Sequence, residues 1–129
     1  MGNIISPPAK TVLVSLSNEA KEKLLPVLQS LTNQHLSIYA TPGTHQFLNN
    51  HGVLSVLVHK ISNQDGVPNI SYLMEQGVFT AVINIPSPQD NNGVQTDGEM
   101  IRKLAIQNAR WPITDVQTAA MVLGHLANS

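Results

Sequence analysis

Ser37-Ile38-Tyr39-Ala40-Thr41-Pro42-Gly43-Thr44 runs as an apolar strand pattern into a Thr-Pro-Gly-Thr turn, and His45, Gln46, Phe47 and Leu48 can open a helix behind it. A strand that stops, turns on glycine and starts a helix presents unpaired backbone N–H groups at the positive end of the helix dipole. That is a ready cradle for an anion or a phosphate, and two threonine hydroxyls at its rim can add hydrogen bonds. Alone, such a tetrapeptide is more often an ordinary strand-to-helix turn with Thr44 as the cap. The flanking chain has to decide between the two.

On the N-terminal side, Thr11-Val12-Leu13-Val14-Ser15-Leu16 is a nearly continuous apolar run rich in β-branched residues, the pattern of a central strand buried on both faces. Ser17 and Asn18 carry helix-start chemistry, and Ala20, Leu24, Val27, Leu28 and Leu31 follow at helical spacing. Pro26 interrupts that stripe, so the helix either kinks there or begins its regular part there. On the C-terminal side, a short helix from about Thr44 is expected to end at Gly52, followed by a third strand over residues 53–61 with His59 and Lys60 at its end. A brief helix between Pro68 or Asn69 and Gly77 leads to a fourth strand over residues 78–85. Residues 86–98 show no periodicity, and a loop of that length in a compact domain is usually functional or mobile. Asp97 can cap a helix with Ile101, Leu104, Ala105 and Ala109 inward. Residues 111–114 make a last short strand, and Asp115 can cap a helix carrying Val116, Ala119, Ala120, Leu123 and Leu126.

The pattern is strand-helix repeated five times. It predicts an α/β three-layer fold: a five-stranded parallel sheet with helices on both faces and right-handed crossovers. Ligands bind such sheets beyond the C-terminal strand ends, near the point where strand order reverses. Ser17, Lys21, Thr41, Gly43, Thr44, Lys60, Asn84, Thr114 and Asp115 all fall at those ends. Lys21 can reach a phosphate from the first helix, although such a lysine is more often a solvated surface charge. Lys60 ends a strand next to the turn, a position that suits a phosphate contact better than that of Lys21. Asn84, at the end of a buried strand, can orient a ligand or tie two loops together. Arg102 and Lys103 stand in the first turns of their helix, where cations oppose the dipole; that hints at an anionic partner, or at a Glu99–Lys103 surface pair.

Composition limits the alternatives. The chain has 129 residues, enough for one ordinary domain, with 42% apolar and 12% charged residues. Its net charge of −1 provides no basic field for nucleic acid. Cysteine is absent, and the five histidines show no metal-ligand spacing, so no metal and no cofactor are expected. Ser15 and Ser17 lack the G-x-S-x-G elbow of a serine hydrolase, and the turn is neither a Walker A loop nor a dinucleotide fingerprint. No apolar run approaches the roughly 20 residues of a membrane helix, and a cytoplasmic location is expected. Met1-Gly2-Asn3-Ile4-Ile5-Ser6 fits the loose N-myristoylation pattern, but is read as part of a flexible lead-in over residues 1–10, with the domain over residues 11–129.

Val12-Leu13-Val14-Ser15-Leu16, Lys21, Tyr39-Ala40-Thr41-Pro42-Gly43-Thr44, Val82-Ile83-Asn84, Ile101-Arg102-Lys103 and Pro112-Ile113-Thr114 together resemble, in order, the methylglyoxal-synthase-like domain. The nearest likeness is the version at the C-terminus of the carbamoyl-phosphate synthetase large subunit. The resemblance implies a flavodoxin-like layout and a regulatory, non-catalytic domain that binds a small anionic effector, a nucleotide monophosphate or N-acetylglutamate. It assigns the effector's anionic group to Thr41 and Thr44, phosphate contacts to Lys21 and Lys60, and a pocket position to Asn84. It makes the remainder of the synthetase the partner, and leaves room for a homo-oligomer. Pro86 replaces a pocket threonine of the nucleotide-binding form, and Pro42 fills a variable position, so the effector's identity stays open. The alternative is a methylglyoxal-synthase-class lyase acting on dihydroxyacetone phosphate. Against it, residues 15–17 and 67–69 bring serine and proline where that enzyme carries its histidine and aspartate, and neither can act as the general acid or base; Asp65 is nearby but in a different context.

Overall fold

The computed structural model describes residues 10–31, 36–59, 69–86 and 97–127. Five strands alternate with five helices: β1 (Lys10–Leu16), α1 (Asn18–Ser30), β2 (Leu36–Ala40), α2 (Pro42–Asn50), β3 (Val56–Leu57), α3 (Ile70–Glu75), β4 (Ala81–Ile85), α4 (Asp97–Gln107), β5 (Pro112–Ile113) and α5 (Val116–Ala127). All strands pair in parallel, in the order β3-β2-β1-β4-β5. The layers and parallel strands are those expected. The order places the reversal between β1 and β4, whereas flavodoxin itself has the order 2-1-3-4-5.

Alternation along the strands builds two cores. Val12, Val14 and Leu16 of β1, with Ile38, Ala40, Ile83 and Ile85, pack against Leu24 and Leu28 of α1, Leu48 of α2 and Leu123 of α5. Leu13 and Val82 point the other way, onto Ile70, Leu73 and Met74 of α3 and Ile101 and Ala105 of α4, with Phe79 filling between them. Each fully buried leucine or isoleucine contributes about 1.5–3 kcal/mol. Two stacks on opposite faces therefore fix which helix covers which side.

Several boundaries differ from the expected ones for visible reasons. β1 takes in Lys10, one residue earlier than expected. α1 is continuous through Pro26, which sits on its exposed side while Leu24 and Leu28 stay buried; the proline neither ends nor starts the helix. Of the described residues of the expected third strand, 53–59, only Val56–Leu57 form β3, because β2 stops at Ala40 where Pro42 begins a helix. Beyond the last backbone bond, from Val58 N–H to the Ala40 carbonyl at 3.0 Å, β2 offers no partner. His59 instead forms an isolated parallel bridge with Asn69. The fourth strand starts at Ala81 rather than 78, since the Val78 N–H is bonded back to the Leu73 carbonyl at 3.2 Å, closing α3. Asp97 is the first residue of α4 rather than its cap. Ala109 lies past the end of α4 at φ 60° and exposed, not on the inward face. β5 is Pro112–Ile113, with Trp111 85% exposed beside it. Lys60, the lead-in over residues 1–9 and the greater part of the aperiodic stretch, residues 87–96, lie outside the described residues.

Candidate functional site at the strand reversal

The register brings one polar row to the C-terminal edge of the sheet. Val14 pairs with Ala40, Ser15 with Asn84, and Ile83 with Ile113, so Thr41, Ser15, Asn84 and Thr114 stand at one level on four neighbouring strand ends. Paired residues of a parallel ladder share a face, so Ser15 and Asn84 stand together on the side of α3 and α4.

α2 opens directly over this row. Thr41 is the N-cap residue and Pro42 the first helical residue, but the Thr41 side chain makes no capping bond. Its hydroxyl instead reaches Ser15 Oγ at 3.3 Å and Thr44 Oγ1 at 3.5 Å. The amides of the first turn are therefore not capped by Thr41 and point out of the helix end. Thr44 is 2% exposed, and its hydroxyl accepts the Leu16 N–H at 3.0 Å. It is a tie between α2 and β1 before it is anything else, and it is not the cap. Lys21, in the first turn of α1, brings its ammonium over the same helix end. Nζ is 3.1 Å from Asn18 Oδ1, 6.0 Å from the Phe47 ring centroid, and 3.7 Å from where a Cβ on residue 43 would stand. Glycine at 43 keeps the space between ammonium and backbone open. On the far side of the helix, His45 Nδ1 lies 2.6 Å from Ser55 Oγ and braces α2 to the sheet edge.

The opposite wall belongs to β4 and α4. Asn84 is 3% exposed, and its Oδ1 accepts a hydrogen bond from Nη1 of half-buried Arg102. The structure thus brings Lys21, Thr41, Gly43 and Thr44 together on one side of the strand reversal and Asn84 on the other. Thr114 is exposed at the end of edge strand β5, one strand further out. Two members of the constellation were not among the expected site residues. Ser15 was readable as the polar residue inside an otherwise apolar run, Val12 to Leu16; Arg102 stood out as a cation opposing its helix dipole, but not as the partner of Asn84.

Near the end of the row, the Asp115 carboxylate accepts the Thr118 N–H at 2.8 Å and caps α5. That backbone bond, with a side-chain bond to the same residue, holds its carboxyl below the usual 3.8, against a small opposing effect of desolvation. Among the described residues no group of three histidines or carboxylates could hold a metal ion, and no helix is long and apolar enough to cross a membrane. Around the strand reversal the described residues place the first-turn backbone of α2, the Lys21 ammonium, the Thr41 and Ser15 hydroxyls and the Arg102–Asn84 pair.

The model of the MGS-like domain matches residues 23–109. The chain belongs to this family. Among curated relatives, the carbamoyl phosphate synthase large chain of Methanoculleus marisnigri is 35% identical over 113 residues, covering 88% of this MGS-like chain and 10% of the relative. The C-terminal section of the large chain from Methanopyrus kandleri is 30% identical over 101 residues, covering 78% and 18% respectively. The MGS-like chain thus spans about a tenth to a fifth of the length of these two relatives. Among solved structures, methylglyoxal synthase from Elizabethkingia anophelis aligns with a TM-score of 0.66 at 17% identity, over 91% of this chain and 78% of that one. ForH aligns at 0.57 and 19% identity, over 93% and 80%. At these identities the structural likeness concerns the fold alone.

Proposed function

We propose that the chain is an effector-binding regulatory domain of the carbamoyl-phosphate synthetase type, taking a small anionic metabolite at the strand reversal. The observation that carries this is the first turn of α2, left uncapped by Thr41, with the Lys21 ammonium standing over it. Helix dipole, backbone N–H groups and a lysine point at one place, which is how proteins hold phosphate or carboxylate. Thr41, Gly43, Thr44 and Lys21 form that half of the site, Asn84 the other half, with Lys60 and Thr114 as further contacts. The binding unit is residues 11–129. The effector is a nucleotide monophosphate or N-acetylglutamate, the partner is the body of a synthetase large chain, and the location is the cytoplasm, as the kinship with the synthetase large chain suggests. Regulation requires the effector to prefer one state of that partner, with a coupling of roughly 1–3 kcal/mol.

A thermal-shift panel of uridine and inosine monophosphates, N-acetylglutamate, ornithine and inorganic phosphate tests this. A ligand at a hundred times its dissociation constant stabilises by about 2.7 kcal/mol, so at least one anionic member raises Tm, and Lys21→Ala abolishes the rise. A panel with no shift overturns the reading. Release of methylglyoxal from dihydroxyacetone phosphate would replace it with the lyase.

A further inference from the structure

The contact between Arg102 and Asn84 sets the hydrogen-bonding polarity of one wall of the crevice. A carboxamide carries an acceptor oxygen and a two-donor nitrogen on one planar group, about 120° apart, and the two ends are otherwise interchangeable in shape. Which end meets a ligand depends on what holds the other. A guanidinium has donors only, so Arg102 can hold Asn84 by Oδ1, as it does, and turning the amide over would set N–H against N–H. Asn84 is 3% exposed on central strand β4, where loss of a charge-assisted hydrogen bond weighs more than at a solvated surface. With Oδ1 held by Arg102, Nδ2 is the end left for a partner on the other side of the amide, and Ser15 is the register neighbour on β1.

We infer that Arg102 is a positioning residue that locks Asn84 as a donor toward the crevice. The pocket therefore recognises a ligand with a second acceptor oxygen, on a carbonyl, carboxylate or phosphoryl group, besides the anionic group held at α2. The strands carrying Thr41 and Asn84 are two strand spacings apart, roughly 10 Å, so the two ligand groups belong to one molecule of that span. A ligand offering an amino group at the second position meets a donor and is refused. This rests on the reading of the strand reversal as the effector site.

The test compares ligands of matched shape and opposite polarity: uridine against cytidine monophosphate and inosine against adenosine monophosphate, in each of which a ring carbonyl becomes an amino group. The wild-type chain is expected to prefer the acceptor-bearing member of a pair by roughly tenfold or more. Arg102→Lys, which keeps one donor, retains the preference; Arg102→Met, which frees the amide to turn, brings the ratio toward one. Absence of preference in the wild type, or an Arg102→Met variant that loses affinity equally for both members, overturns the inference. If no pair binds, the effector reading itself has failed, and the lock is judged without ligand from the Asn84 side-chain NH2 signals in NMR spectra. Proton–proton NOEs from the Asn84 NH2 to Ser15 in the wild type and Arg102→Lys, lost in Arg102→Met, support it; NOEs unaffected by Arg102→Met overturn it.

Discussion

Thr44 stands in a helix, yet its hydroxyl belongs to the sheet. It accepts the N–H of Leu16, 28 residues earlier, inside a buried contact. Removing it leaves that amide without its partner, so Thr44→Ala is expected to lower stability by about 1–3 kcal/mol in denaturant unfolding, with Thr44→Ser recovering most of it. An unchanged midpoint would mean that Leu16 finds another acceptor. Gly43 behaves in the opposite way. A methyl there meets only the Lys21 ammonium, at 3.7 Å, so Gly43→Ala keeps or gains up to about 1 kcal/mol of stability while it crowds the anion site proposed there. Weaker anion binding at equal or higher Tm is the signature, and undiminished affinity would place the anion elsewhere. The Thr-Pro-Gly-Thr stretch was visible in the sequence as a strand-to-helix turn. The division of labour between its threonines was not, because it depends on a partner in another strand. The same holds for Arg102, whose meaning appears only once α4 lies over β4.

At the scale of elements, apolar periodicity located all five strands and all five helices, and erred mainly where hydrogen bonds rather than side chains set an end. β3 is short because its neighbour β2 turns into a helix, which apolar content cannot reveal. α1 runs through Pro26 because the buried stripe on its other face outweighs one lost backbone bond. α4 ends in a turn in which the Arg110 N–H bonds the Ala105 carbonyl at 2.7 Å, and Ala109 takes φ 60° to allow it. Left-handed backbone costs a residue with a Cβ roughly 1 kcal/mol, so Ala109→Gly is expected to raise stability by about 0.5–1 kcal/mol, measured by urea denaturation. A lower midpoint would contradict the geometry. At the start of α5, Asp115 titrates below its ordinary value because the folded state binds the carboxylate through Thr118. Its contribution is present above the ordinary aspartate range and is lost as pH falls through the lowered value. The wild-type chain should therefore lose part of its advantage in Tm over Asp115→Ala as pH falls below the ordinary aspartate range, and parallel curves would show that the carboxylate's charge adds nothing to the cap.

For the whole molecule, two cores on opposite faces of one sheet fix the strand reversal between β1 and β4, and everything proposed for function sits at that reversal. The strand–helix alternation made the parallel sheet legible, and with it the row of polar residues at the C-terminal strand ends. The order of the strands was not legible, since it depends on which helix covers which face. Kinship with synthetase large chains is the ground for proposing a regulatory domain, and the Lys21 ammonium over the first turn of α2 the ground for proposing an anionic effector. The most direct measurement is isothermal titration of the wild-type chain and Lys21→Ala with uridine monophosphate, inosine monophosphate and N-acetylglutamate. The account predicts saturable binding of at least one of them at a single site, weakened roughly tenfold or more when the ammonium over α2 is removed. No binding of any of the three, or equal affinity in the variant, would contradict it.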